Sequence, residues 1–461
     1  MGIRKFIGNK DFYKKVLLIS VPIMVQNGIT NFVSLLDNIM VGQAGTDQMS
    51  GVSIVNQLIF VFNLAIFGGL SGAGIFGAQY YGKGQHEGVR NTFRFKLWTA
   101  IVVLIAAFAV FIGFGGSLIQ MFLHEGSATG NVEATFLYAE QYLAIMLVGL
   151  VPFALNQCYV STLRETGETV IPMIAGITAV FVNLILNCIL IFGMLGAPAL
   201  GVQGAAIATV TSRYVETLII IIWTHAHTIK NQFIIGAYRS LQIPISLVKQ
   251  IILKGLPLMI NEILWACGVA ITNQCYSTRG LATVAAININ STINNLFNVV
   301  FIALGSSVSI VVGQLLGANK MEEAKDTDNK LIAFSVGACI VIGGIMAVTA
   351  PLFPQLYNTT EEVRLLAEDF IFITAACMPL CAFTHATYFT LRSGGKTIVT
   401  FIFDSCFMCG ICVPIAFSLS RYTDINIVLL YGICQSLEFV KCIIGFFFVK
   451  SNIWLHNIVE K

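Results

Sequence analysis

Twelve apolar segments follow one another along the chain, and they limit what it can fold into. Each is long enough, at about 20 residues or more, to cross the ~30 Å hydrocarbon core of a bilayer as a helix. These segments do not fit transmembrane strands, in which apolar and polar residues alternate, because runs such as 97–114 and 332–347 are apolar on every face. The sequence therefore predicts an all-α polytopic membrane protein. Its predicted spans are 15–41, 51–78, 97–122, 134–160, 171–195, 201–224, 248–276, 284–313, 331–353, 366–390, 398–419 and 425–449.

The positive charges predict the orientation of these spans. Of the 26 Lys and Arg residues, 21 lie at the termini, in the even-numbered connections or at the end of a span next to one, whereas only Arg279, Arg364 and Arg421 lie in the odd-numbered connections. Because cytoplasmic loops retain Lys and Arg, we expect both termini to be cytoplasmic, in an inner (plasma) membrane. The first apolar run continues for a full span, so no cleaved signal peptide is expected. The net charge of +3 follows from this topology and does not indicate nucleic acid.

The two halves of the chain resemble each other. At an offset of 235 residues, Pro22, Asn38, Gln79 and Gly82 match Pro257, Asn273, Gln314 and Gly317. At an offset of 228, Thr162-Leu163-Arg164 recurs as Thr390-Leu391-Arg392. Each half has six spans, so the halves enter the membrane in the same direction, related by a pseudo-two-fold axis along its normal. We predict an amino-terminal lobe at 1–224, a cytoplasmic linker at 225–247 and a carboxyl-terminal lobe at 248–461.

Several short motifs together carry a family resemblance. Asp37 follows Pro22 by fifteen residues, Gly77-Ala78-Gln79 ends the second span, and Gly204-Ala205-Ala206 opens the sixth. With these motifs the chain resembles the multidrug and toxic compound extrusion (MATE) transporters. The resemblance implies two six-helix bundles and export of amphipathic, often cationic small molecules in exchange for sodium ions or protons. It also implies a monomer in membrane lipid that has no cofactor apart from the coupling ion.

Polar residues inside the first half are the candidates for ion coupling. Asp37 has no Lys or Arg within one helical turn, and Asn183 and Asn187 share one face of the fifth span. The resemblance implies an ion site at Asp37, Asn183, Asn187 and Thr209, with the first three as ligands of a sodium ion. Some relatives carry a second carboxylate where this chain has Asn187, so sodium and proton both stay open. The alternatives are a helix-capping carboxylate and amides that link helices.

The second half carries its own acids at membrane depth. Glu262 and Asp404 have no basic neighbour on their own helices, and their repeat partners, Asn27 and Gly176, are not acidic. We predict that Glu262, Asp404 and Gln26 contact a cationic substrate in a central cavity, against the alternative of structural pairing. Two charge pairs at i, i+3 spacing, Arg213 with Glu216 and Glu438 with Lys441, are expected to be structural.

The function predicted from these observations is a secondary active multidrug exporter, an antiporter that works by alternating access. No Gly-x4-Gly-Lys-Ser/Thr motif is present, so an ion gradient is the expected energy source. A lipid-linked oligosaccharide flippase of the same superfamily is the alternative, and it predicts a basic cavity for pyrophosphate. An enzyme is not expected, because the sequence shows no cluster of catalytic or metal-binding residues near a membrane interface.

Overall fold

Long helices form nearly all of the protein. The computed structural model describes residues 6–123, 131–357 and 359–460. The first half forms α1 (Lys10–Ala44), α2 (Thr46–Gly82), α3 (His86–Gln120), α4 (Val132–Glu165), α5 (Val170–Phe192) and α6 (Val202–Ala226). The second half forms α7 (Ile245–Ser277), α8 (Leu281–Gly317), α9 (Met321–Thr349), α10 (Glu361–Ser393), α11 (Thr397–Tyr422) and α12 (Ile427–Lys450). The described residues contain no β-strand, and the predicted all-α fold is confirmed.

Every predicted span overlaps one of these helices, and eleven of the helices, α2 to α12, are apolar and long enough to cross a membrane. That count rests on length and composition within the described residues. The largest differences in bounds are at α3, which begins at His86 although the predicted span begins at residue 97, and at α9, which begins at Met321 although the predicted span begins at residue 331. The added turns of α9 are polar and carry Glu322 and Glu323 next to the helix amino terminus, where acidic side chains are favourable. Hydropathy detects the apolar part of a helix and misses its polar ends.

Helix α11 is irregular near its middle. It contains two successive π-helical segments, Ile402–Cys406 and Met408–Cys412, before it returns to α-helix at Val413. A π segment widens the helix by one residue per turn and is frequently found at functional sites. The first of these segments carries Asp404, one of the predicted cavity acids.

Helix pairs recur between the halves. Helix α4 packs on α3 and α6, and α10 packs correspondingly on α9 and α12. Additional contacts join α5 to α6 in the first half, and α8 to both α9 and α10 in the second. The recurrence of two packing pairs six helices later agrees with the duplication seen in the sequence.

The chain groups into two compact units. One unit contains residues 25–77 and 86–248, and the other contains residues 1–24, 78–85 and 249–461. The core of the second unit includes Val308, Leu316, Leu331 and Leu391, from α8, α9 and α10. The predicted lobe boundaries at 224 and 248 stay a prediction.

The predicted linker at 225–247 packs against α3. Arg94 donates hydrogen bonds to the carbonyl oxygens of Gly236 and Ala237, each at 2.9 Å. Phe233 is 1% exposed and contacts the ring of Phe93, with centroids 5.5 Å apart. Between the end of α6 and the start of α7, all of which the structure describes, the only regular element is a 3₁₀ turn at Gln232–Ile234. The segment is therefore held by side chains of the first half.

Two glycines let the ends of α2 and α8 approach closely. A Cβ atom at Gly82 would overlap with the carbonyl oxygen of Gln314, and one at Gly317 would overlap with that of Gln79. These four residues are repeat partners of one another, so the contact is reciprocal. Close backbone approach through small residues is a common way for helices to associate in membranes.

The carboxyl-terminal segment after α12 folds back on this crossing. The side chain of Gln79 accepts a hydrogen bond from the backbone of Ile458 at 2.8 Å and donates one to the carbonyl of Ser393 at 2.8 Å. Asn457 donates to the carbonyl of Gly317 at 3.4 Å, and Trp454 is 1% exposed. The segment thus ties the ends of α2, α8 and α10 together.

Candidate functional site

Three helices of the first half bring the four predicted ion-site residues together. Asp37 lies on α1, Asn183 and Asn187 lie on α5, and Thr209 lies on α6. The side-chain amide of Asn187 donates to Asp37 Oδ1 at 2.6 Å and to Asn183 Oδ1 at 3.1 Å. Asn183 in turn donates to Thr209 Oγ1 at 3.4 Å. The spacing of Asn183 and Asn187 explains the chain of bonds, because residues four apart share one helix face.

This cluster is rich in oxygen acceptors. Asn183 and Asn187 are buried, and Asn187 Oδ1 has no hydrogen-bond partner among the described residues. No ion pair found in the described part of the chain involves Asp37. A carboxylate, amide oxygens and a hydroxyl are ligands suited to a hard cation, and a carboxylate also binds a proton. These oxygen ligands therefore fit either a sodium ion or a proton.

Gln26, one of the predicted cavity residues, is bound to a cation of its own half. Arg164 on α4 donates to Gln26 Oε1, and Arg164 also interacts electrostatically with Glu216 on α6. Gly176 lies beside this group, and a Cβ atom there would be in ordinary van der Waals contact with Gln26 Cγ, at 3.4 Å. The same Glu216 interacts with Arg213, as its i, i+3 spacing predicts. Gln26 thus belongs to a charge network in the first half.

Asp404 has no basic neighbour on its own helix, but it is paired with a cation from another helix. Lys441 on α12 lies 2.7 Å from Asp404 Oδ1. Asn261 on α7 donates to Asp404 Oδ2 at 2.9 Å and accepts a hydrogen bond from the Ser405 hydroxyl at 2.7 Å. Sequence spacing shows only neighbours on the same helix, whereas Lys441 and Asn261 reach Asp404 from two other helices.

Glu262 also has a cation near it. The Tyr388 hydroxyl on α10 donates to Glu262 Oε1 at 3.2 Å, and the guanidinium of Arg392 interacts electrostatically with the same carboxylate. Arg392 lies over the ring of Phe389, 5.7 Å from its centroid. Arg164 and Arg392 are repeat partners, so each half holds an arginine close to an acid. The acids differ, because Glu216 lies on α6 and Glu262 lies on α7.

The expected pair of Glu438 with Lys441 is not formed as an ion pair. Lys441 binds Asp404 instead, and Glu438 Oε2 accepts a hydrogen bond from the Thr384 hydroxyl at 3.0 Å. His385 bonds the carbonyl of Cys381 at 2.9 Å through its Nδ1 atom and lies 4.5 Å from the ring of Phe301. His385 is therefore a packed, hydrogen-bonded residue, as expected for a core histidine.

The sequence does not show the burial and the partners of two polar residues, Asn261 and Lys96. Asn261 is 1% exposed and joins α7 to the π segment of α11, and only its position beside Glu262 could have drawn attention to it. In the first half, Lys96 is fully buried and pairs with Glu165 at 2.6 Å. Lys96 is one of the 21 cations that the charge pattern places on the cytoplasmic side, because charges usually mark the end of a span. The structure buries it between α3 and α4.

The fold and these polar clusters define a class of protein: a polytopic helical membrane protein with buried, oxygen-rich sites inside its helix bundles. The MatE family model matches residues 22–189 and 257–418, one segment in each half. The chain belongs to the MatE family, and the expected membership of a family of membrane transporters is confirmed.

Named relatives and solved structures agree with this membership. The chain is 25% identical over 426 residues to the probable multidrug resistance protein YoeA of Bacillus subtilis, covering 90% of this chain and 88% of that protein. It is 22% identical over 427 residues to the probable multidrug resistance protein NorM of Thermotoga maritima, with the same coverage of 90% and 88%.

Among solved structures, an outward-facing multidrug resistance MATE family transporter of the MOP superfamily superposes with a TM-score of 0.85. The two chains are 18% identical, and 98% of each is covered. A MOP superfamily transporter from Pyrococcus furiosus, described as having reverse polarity of its binding pocket, superposes with a TM-score of 0.82 at 19% identity, again covering 98% of each chain. These similarities show the fold.

Proposed function

We propose that this protein is a multidrug exporter that exchanges amphipathic cations for one coupling cation, a sodium ion or a proton, bound at Asp37. The observation that carries the proposal is the environment of Asp37. Its one hydrogen-bond donor found in the described residues is the neutral amide of Asn187. A carboxylate at membrane depth without a cationic partner requires a bound cation or proton for its neutralisation. The names of the relatives, which are probable multidrug resistance proteins, support a role in drug resistance.

The proposal includes alternating access in a plasma membrane, by a monomer surrounded by lipid with both termini in the cytoplasm. A lipid-linked oligosaccharide flippase is not favoured. That function predicts unmatched basic residues for pyrophosphate, whereas Arg164, Arg392 and Lys441 each lie beside an acid. The relatives described above are named as multidrug resistance proteins.

Transport in proteoliposomes, with sodium and proton gradients imposed separately, tests the coupling and identifies the ion. We expect one of the two gradients to drive substrate movement in the wild type, and we expect Asp37→Asn to abolish it. Asp37→Glu should be impaired less. Asp11→Asn is the matched control, because Asp11 is an exposed acid on the same helix. Wild-type gradient-driven transport by Asp37→Asn would refute the proposed ion site.

The second half supports the preference for cationic substrates. Glu262, Asp404 and Glu438 interact with two bases, Arg392 and Lys441, which leaves one formal negative charge when His385 is neutral. We call these five charged residues the acidic cluster. Because Asp404 is held by Lys441, the attraction to a substrate is assigned to Glu262 and Glu438, with Asp404 as a supporting residue. In surroundings of low dielectric, one excess charge attracts a cation more strongly than it does at a surface.

Substrate affinity tests this assignment. Glu262→Gln should weaken binding of a monovalent cation by about 5- to 150-fold, the equivalent of about 1–3 kcal/mol for a charge-assisted contact. A neutral compound of similar shape should bind with little change. Asp369→Asn, which neutralises an exposed acid on α10, is the control. Equal losses for the charged and the neutral compound would mean that Glu262 maintains the fold and does not select substrate.

A further inference from the structure

Asp328 is a buried acid that the proposed transport mechanism does not use. It lies on α9, two turns after the amino terminus of that helix, and it is 0% exposed. Ala324 and Leu331, one turn before and after it on α9, and Leu391, next to Thr390 on α10, belong to one apolar core. Its Oδ1 atom lies 2.6 Å from the Thr390 hydroxyl on α10, and its Oδ2 atom has no hydrogen-bond partner among the described residues.

No cation found in the described residues compensates this acid. Helix α8, which packs on α9, has no Asp, Glu, Lys or Arg between Leu281 and Gly317. On α10, the cationic side chain nearest in sequence to Thr390 is Arg392, which interacts with Glu262. On α9 itself, Lys330 pairs with Asp326 and Lys325 forms no ion pair in the described part of the chain. The α1 lysines, Lys10, Lys14 and Lys15, and His456 after α12 are exposed.

The Thr390 hydroxyl has two acceptors within reach and only one proton. Its oxygen lies 3.0 Å from the carbonyl oxygen of Ala386, one turn earlier on α10, as well as 2.6 Å from Asp328. A neutral Asp328 satisfies both contacts, because the carboxyl donates to Thr390 Oγ1 while the hydroxyl donates to Ala386. An ionised Asp328 would be a buried charge with a single hydrogen bond, which is strongly unfavourable in apolar surroundings.

The equivalent position in the first half has a different polar partner. Thr162, the repeat partner of Thr390, accepts a hydrogen bond from Lys96 at 2.9 Å, and Lys96 is neutralised by Glu165. The residues of the second half that correspond to Lys96 and Glu165 are Leu331 and Ser393, and neither is charged. The ion pair has no counterpart there, and an acid stands one turn earlier, at Asp328. One half therefore buries a salt bridge and the other buries a single acid.

We propose that Asp328 is a proton-binding site of the second half, in which the carboxyl holds its proton between α9 and α10 throughout the transport cycle. The bound proton makes the buried acid a hydrogen-bond donor to Thr390 and removes the need for a counter-ion. The site is separate from Asp37, and the inference does not depend on which ion drives transport. It assigns to this part of the molecule a sensitivity to alkaline pH, because removing the proton leaves an uncompensated charge.

Infrared difference spectroscopy on the purified wild type tests the protonation directly. The spectrum of the wild type minus that of Asp328→Asn should contain a carbonyl band of a protonated carboxylic acid at neutral pH. The band should shift in heavy water, because the carboxyl proton exchanges for deuterium. Asp326→Asn, which removes an exposed acid from the same helix, should give a carboxylate band instead. A carboxylate band for Asp328 at neutral pH would overturn the proposal.

Thermal unfolding and transport provide the second measurement. Asp328→Asn carries a neutral donor in place of the acid, so we expect it to fold, to transport, and to lose less stability than the wild type from neutral to alkaline pH. Asp328→Leu, which suits the apolar surroundings, should show the same reduced pH dependence. If the wild type and both variants lost the same amount of thermal stability from neutral to alkaline pH, the proposed proton on Asp328 would be contradicted. Loss of coupled transport in folded Asp328→Asn would show that the proton cycles, against the proposal.

Discussion

At the scale of single residues, the surrounding helices decide what each buried charge can do. Asp37 and Asp404 look alike in the sequence, since neither has a basic neighbour on its own helix. In the structure Asp37 contacts the neutral amide of Asn187, whereas Asp404 is bound by Lys441. A paired acid has less to offer a ligand than one without a counter-ion. This difference separates the proposed ion site from a charge pair that supports the acidic cluster.

The pair of Asp404 and Lys441 should contribute to stability mainly through mutual neutralisation. Lys441→Met leaves the Asp404 carboxylate buried and uncompensated, and we expect it to destabilise the protein by about 3–5 kcal/mol. The double variant Asp404→Asn/Lys441→Met removes both charges and should recover most of this loss. Unfolding of the purified variants in detergent measures both effects. Additive losses in the double variant would show that the two residues act independently.

The sequence predicts the members of the proposed ion site better than it predicts the contacts of the acidic cluster. Asn183 and Asn187 share a helix face by their spacing, and the family resemblance adds Asp37 and Thr209, so the site needs little tertiary information. The contacts of Lys441 and Asn261 with Asp404 join three helices, and their geometry depends on how those helices rotate and on the π segment of α11. Periodicity within one helix carries no information on how the helices rotate or on where a π segment forms.

At the scale of helices, α2 and α8 can cross closely because Gly82 and Gly317 have no side chains at the contact. The twelve helices were predictable from hydropathy, and the matching glycines were visible in the repeat. That Gly82 meets Gln314 and Gly317 meets Gln79 could not be predicted, because the repeat relates positions without showing that they touch. The contact explains why a Gln-x-x-Gly pattern occurs at the end of both helices. The carboxyl-terminal segment adds to it through Gln79.

Alanine substitution tests how much this crossing contributes. Gly317→Ala should separate the helix ends, because the added Cβ would overlap with backbone atoms, which cannot move aside as a flexible side chain can. We expect a clear loss of thermal stability and of transport. Gly337→Ala on α9 is the control, since nothing lies within 4 Å of a Cβ there. That control should be neutral or stabilising by about 0.5–1 kcal/mol, because Ala favours helix over Gly. Equal behaviour of the two variants would exclude a packing role for Gly317.

At the scale of the whole molecule, the two halves share their helix arrangement but differ in their buried acidic residues. The repeat partner of Asp37 is Thr272, and the partners of Glu262 and Asp404 are Asn27 and Gly176. Each half has therefore kept the helix packing and specialised its polar residues. The first half carries the proposed ion site, and the second carries the acidic cluster with one excess negative charge.

This division predicts the charge balance of transport. One carboxylate at Asp37 binds one monovalent ion, and the acidic cluster compensates one monovalent substrate, so a complete exchange moves no net charge. A membrane potential of 100 mV is worth about 2.3 kcal/mol for each charge that crosses, and it should contribute nothing here. We therefore expect that a potential imposed with potassium and valinomycin, without a gradient of the coupling ion, does not drive substrate accumulation in proteoliposomes.

Proteoliposomes with Asp37→Asn correct for passive uptake, because a lipophilic cation follows the potential across lipid without a carrier. The quantity to compare is the difference between wild type and variant, with the potential alone and with the ion gradient alone. The ion gradient should produce a difference and the potential should not. Substrate accumulation by the wild type that exceeds the variant under the potential alone would mean that each cycle moves net charge. Such a transport cycle would require a second coupling ion and therefore a second ion site besides Asp37.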